Sequence, residues 1–232
     1  MQAEDRPIHF STELLFPPFQ LNTPVMQRIY YELSQHPLTA YDSADFNQAG
    51  PPRLVTARGK TQSVLLFLPD RLVVIEEWVD ITLGQFIEKT RTIMATVFAS
   101  CELENVIAQT VTLRTTFALT HFQDARVFLL DHVCGQEGSI WPHFQRPVGV
   151  GGIRFILPRT AEHPGDLHVI IESFIQSPNE VFVEVKGIFG ELQVNEASVE
   201  TLGANARHVR SFITQSVYPY LQQYDHPQEE PE

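Results

Sequence analysis

Glu76 and Glu77 stand side by side within Arg71–Val79, a run that reads as a β-strand. Paired carboxylates can divide general acid and base work between them. Adjacent strand residues point to opposite faces of a sheet, however, so these two cannot enter one site. One of them faces the covered side and needs a cation there. Arg58 or Arg53, on a neighbouring strand, is the expected partner in a structural ion pair. Glu172 and Glu184, on later strands, read the same way.

The nine histidines invite a metal reading. His121, His132 and His143 are evenly spaced, but their separation matches no metal-ligand pattern, and no His-x-x-x-His pair occurs. His132 and Cys134 supply two ligands where a zinc site needs more. No metal and no cofactor are expected. Gly149-Val150-Gly151-Gly152 leads into a strand instead of leaving one to open a helix, so it predicts a bulge or close strand crossing and not a phosphate loop. Neither a Walker-type loop nor a nucleophile elbow occurs. No catalytic residue is assigned.

The segment Gly135–Gly152 is a long loop, and long loops often carry function. It holds Trp141, His143, Phe144 and Arg146, an aromatic, cationic and imidazole set suited to recognition. These four are the candidate binding residues. The opposing expectation is that Trp141 and Phe144 plug one end of the core. On the last helix, Arg207 and Arg210 share a solvated face with His208 at the stripe's edge.

These residues need elements to hold them. Ile8–Phe16 alternates as a strand. A helix follows, capped by Thr23 with Pro24 in its first turn, and ends at His36-Pro37. Residues 37–52 read as loop. Strands are expected at 53–58, 63–68 and 71–79. Residues 63–68 are almost wholly apolar, as in a strand buried on both faces. Leu83–Cys101 carries the strongest helical stripe, capped by Asp80 or Thr82. Then come a strand at 106–119, a short helix at 125–133 capped by Asp124, an irregular loop at 134–147, strands at 148–157, 167–176 and 180–189, and a helix at 196–222.

The order β-α-β-β-β-α thus occurs twice, over 1–104 and 105–224, with an acidic, Pro-rich tail at 225–232 expected to be disordered. The expected fold class is α+β: two similar halves in one compact unit, a mainly antiparallel sheet, long helices on one face. One saddle-like sheet or two ferredoxin-like units side by side would satisfy it.

Composition bounds the function. The 232 residues are 43% hydrophobic and 19% charged, a globular balance. The net charge of −12 disfavours phosphate backbones and anionic membranes. No apolar run is long enough for a membrane helix. The first residues, MQAEDRPIHF, lack the basic and apolar regions of a secretory signal. Two cysteines make no disulfide framework, so both thiols are expected free in a reducing cytoplasm.

Three stretches carry a resemblance. Pro69–Val74 is followed shortly by Trp78. Val111-Thr112-Leu113-Arg114 is a mid-chain strand with Arg after Leu. Leu202, His208, Val209 and Phe212 are spaced along the last helix. Together they resemble a sporadically distributed bacterial family of uncharacterised proteins of similar length. Glu77 stands where that family tends to have Asn beside the Trp. The resemblance implies the duplicated architecture and brings no established activity.

The resulting expectation is a cytoplasmic, non-enzymatic protein that binds a protein partner or a small molecule as a homodimer. Edge strands and long amphipathic helices that need cover motivate the dimer. The rival is a small-molecule enzyme using His and Glu as base and acid, with the 134–152 loop as a lid. Nucleic-acid binding through a saddle-shaped sheet is the least favoured. The exposed sheet face discriminates: basic and aromatic for nucleic acid, apolar and acidic for a partner or ligand.

Overall fold

The longer strands of the large sheet alternate over most of their length, and the alternation points one way. In β1 (Asp5–Leu15), Phe10, Thr12 and Leu14 are buried. In β4 (Thr61–Leu68) and β5 (Arg71–Glu77) the buried sets are Ser63, Leu65, Phe67 and Leu72, Val74, Glu76. In β7 (Ala108–Ala118), β9 (Gly165–Ser173) and β10 (Glu180–Phe189) it is the odd-numbered residues, joined in β7 by Thr116. These side chains join one core with the buried faces of three helices. The helices are α1 (Thr23–Gln35), α2 (Leu83–Cys101) and α5 (Glu196–Phe212). The structure, a computed structural model, describes residues 5–18, 22–46, 50–136, 138, 140–193 and 196–227.

With β2 (Ser43–Asp45), β3 (Arg53–Arg58) and β8 (Gly152–Leu157), the sheet has nine strands in the order β2-β3-β4-β5-β1-β7-β10-β9-β8, and each pairing is antiparallel. This is the expected α+β class, with its long helices on one face. β6 (Asn105–Val106) and β11 (Leu192–Gln193) form a separate two-stranded pair. Outward from the centre the order is β1-β5-β4-β3 on one side and β7-β10-β9-β8 on the other. That correspondence is one of element order.

Local chemistry explains the boundaries. α1 is capped by Asn22, whose side chain accepts from Val25 N, and not by Thr23, which is the first helical residue. Thr82 caps α2 in a full capping box with Gln85. Asp124 caps α3 (Ala125–Val127), which runs on into a π-helical turn, Phe128–Val133. α5 likewise continues through a π-helical turn, Ile213–Val217, into α6 (Tyr218–Gln222). Gly187 lets α5 sit close on β10, since a Cβ there would lie 2.7 Å from Val209.

Two expected loops contain structure: β2 lies within 37–52, and α4 (Ile140–Phe144) within 134–147. The strand expected at 63–68 is covered on one face only; Val64, Leu66 and Leu68 on its other face lie outside the core. Of the tail, residues 228–232 lie outside the described residues. Asp225 accepts hydrogen bonds from Thr120 N and His121 N at 2.7 and 2.9 Å. Among the described residues no helix is long and apolar enough to cross a membrane.

Candidate functional site

The two adjacent carboxylates build separate constellations on opposite sides of the sheet. Glu76 faces the helices and is 3% exposed. Its partner is neither Arg58 nor Arg53, as the sequence suggests, but Lys89 from α2, with Nζ 2.7 Å from Oε1. The reason lies in the layering: a strand residue on the covered side looks at a helix, while Arg53 projects to the other side and pairs with Asp45. Ser63, directly across from Glu76 in β4, completes the cluster. Its hydroxyl donates to Glu76 at 2.8 Å and accepts from Lys89 at 2.6 Å. The Lys89 ammonium also lies 5.1 Å from the ring centre of Tyr41. Burial pushes the Tyr41 phenol far above its ordinary range; Ser63 beside it opposes the rise and Glu76 adds to it. Among the described residues the Tyr41 hydroxyl has no hydrogen-bond partner of normal geometry.

This cluster forms the wall of a cavity of about 200 Å³ between the α1–β2 connection, β3–β5 and the start of α2. Three threonines line it, and each has committed its hydroxyl hydrogen elsewhere. Thr39 donates to Leu33 O, Thr56 to Ala40 O and Thr61 to Trp78 O. Their oxygens retain acceptor capacity. Arg58 and Asp80 bring one further charge of each sign, both exposed and neither in an ion pair among the described residues.

Glu77 faces the uncovered side. Its carboxylate lies 2.7 Å from His9 Nδ1 and 3.9 Å from Arg114. His9 Nε2 is 2.9 Å from Ser11 Oγ, and Arg114 Nε donates to Glu184 at 2.6 Å. These groups follow the ladder, since His9 pairs with Glu77 and with Arg114, and Arg114 with Glu184. Burial lowers the His9 pKa; Glu77 opposes this, Arg114 adds to it, and Glu184 opposes it. Serine, imidazole and carboxylate are in the order a nucleophile needs. Acyl transfer also requires N–H donors at the developing oxyanion. Ser11 sits mid-strand between β5 and β7, where the backbone amides are engaged in the ladders. The row is therefore an ion-pair and hydrogen-bond network.

Of the residues singled out in the loop, His143, Phe144 and Arg146 join neither cluster. His143, Phe144 and Arg146 are exposed, Phe144 by 65%, on and just after α4. Phe144 is no core plug. The Trp141 side chain lies outside the described part of the structure. His208 packs edge-on against Phe189, centres 6.2 Å apart. No group of three metal-ligating side chains occurs among the described residues, and Cys101 and Cys134 are free thiols whose pKa burial raises. Sequence reasoning missed Lys89, Ser63, Tyr41, His9 and Arg114. Lys89 left one signal: it sits between Phe86 and Ile93 at three- and four-residue steps, a charge inside an apolar stripe.

No family model matches the chain, and no curated protein matches it. Two solved structures are similar to a slight degree. The di-domain ARO/CYC protein BexL, from the BE-7585A biosynthetic pathway, is 11% identical over 100% of both chains with a TM-score of 0.23. The di-domain ARO/CYC protein StfQ, from the steffimycin biosynthetic pathway, is 9% identical over 94% of this chain and 98% of its own, with a TM-score of 0.20. At such scores neither likeness carries an argument.

Proposed function

We propose that this is a cytoplasmic, non-enzymatic protein that binds a small zwitterion in the cavity walled by Lys89, Glu76 and Ser63. One observation carries the reading. The inner cation and anion satisfy each other, while Arg58 and Asp80, neither in an ion pair among the described residues, bring a charge of each sign to the same cavity. A carboxylate would meet the Arg58 guanidinium, which binds such groups in a fork. An ammonium would meet Asp80 and the three threonine oxygens. About 200 Å³ has room for roughly six or seven waters at about 30 Å³ each, the scale of a free amino acid.

Thermal unfolding in the presence of each free amino acid tests this. A ligand at a hundredfold excess over its Kd adds about 2.7 kcal/mol. For a chain of this size that is a rise of roughly 5–10 °C in Tm. At least one amino acid should produce it, and Arg58→Ala should abolish the rise without changing the unliganded Tm. If no amino acid raises Tm, or the rise survives in Arg58→Ala, the reading fails.

A further inference from the structure

We propose that the uncovered face of the sheet is the seat of a second copy of this chain, the two sheets packing face to face. The face is not the polar one that a solvated antiparallel sheet presents. Val55, Val64 and Ile75 lie in one cross-strand row, and Leu66 and Val73 in the next. Leu68 follows on β4. None of these six belongs to the core or packs against it, although β4 is apolar on both of its faces. A strand with that pattern is built to be covered twice, and the helices cover it once.

Charge selects the occupant. Across the nine strands the outward-facing charges are Arg6, Arg53, Arg71, Arg114, Arg154 and Lys186 against Glu13, Asp45, Glu77, Asp166, Glu172, Glu180 and Glu184. Four of the six cations are already paired on this face: Arg6 with Glu180, Arg53 with Asp45, Arg71 with Glu13, Arg114 with Glu184. The chain as a whole carries −12. Two such chains repel least through a surface where charge nearly cancels, and this face is such a surface. A nucleic acid finds no basic excess on it, and a basic partner little acidic excess. A second copy brings the same nearly balanced set, as a two-fold interface requires.

The extent is sufficient. Nine strands about 4.8 Å apart, each some seven residues at about 3.4 Å, give a face of roughly 40 by 24 Å. That is about 900 Å², against the 800 Å² or so per partner of a standard stable interface.

The test is the mass of the full-length chain in solution, by light scattering after size exclusion and by native mass spectrometry. The wild type should be a dimer. Leu66→Glu with Ile75→Glu should give a monomer with unchanged far-UV circular dichroism, because both side chains lie outside the core. Should that variant unfold, the milder Val64→Thr with Ile75→Thr should raise the dimer Kd by more than about tenfold. A monomeric wild type overturns the proposal, whatever else co-purifies. So does a dimer that persists unweakened in the folded variants.

Discussion

Glu76 and Glu77 differ by one position and live in different dielectrics. Glu76 is buried with Lys89, and such a pair costs much to break and little to replace, because the desolvation is already spent. Lys89→Met leaves the Glu76 carboxylate uncompensated and should lose about 3–5 kcal/mol in urea unfolding. Adding Glu76→Leu to Lys89→Met should restore most of that loss; if it does not, the pair is not what holds the site. His9, on the other face, is held neutral by burial, with its pKa lowered. The unfolded chain takes up a proton near pH 6.5 that the folded chain refuses, so stability falls as pH drops through that value. The groups facing His9 are Glu77, Arg114, Glu184 and Ser11. The wild-type urea midpoint should therefore fall more between about pH 7.5 and 5.5 than that of His9→Gln. Equal falls would assign the slope elsewhere. The opposed facing of the two carboxylates was legible from strand alternation alone. Their partners were not, because a strand's pattern does not say which turn of which helix will lie over it.

At the scale of elements, periodicity and capping did most of the work. The Asp124 cap and the limits of β10 stand in the residues, and Thr82 was one of the two caps read for α2. What was not legible is short structure inside polar segments: three residues of β2 and five of α4 have too few positions to show a period. The loop that holds α4 is also where the recognition residues were sought. Phe144, at 65% exposure, contributes no core packing. Phe144→Ala and His143→Ala should each change stability by less than about 0.5 kcal/mol. A loss above roughly 2 kcal/mol for Phe144→Ala would place its ring against apolar side chains and return the plug.

At the scale of the molecule, the two stretches of similar element order share a single sheet and core. β1 takes β5 of its own stretch on one edge and β7 of the other stretch on the opposite edge. Buried Gln109 of β7 donates to Thr12 of β1 and to Leu202 O, and accepts from Asn205 of α5. Arg91 of α2 pairs with Glu200 of α5. Separating the stretches would expose the long edges of β1 and β7 and orphan these polar groups, so neither is expected to fold alone. Unfolding should be one cooperative event. The two tryptophans allow a direct check, since Trp78 belongs to the first stretch and Trp141 to the second. In Trp141→Phe, the remaining fluorescence reports the β5 end, while far-UV circular dichroism reports every element. Their denaturation curves should coincide in midpoint and steepness. Curves separated by more than their error would mean that the β1–β7 ladder opens before the rest, and that the continuous sheet is a weak joint between two separately stable bodies.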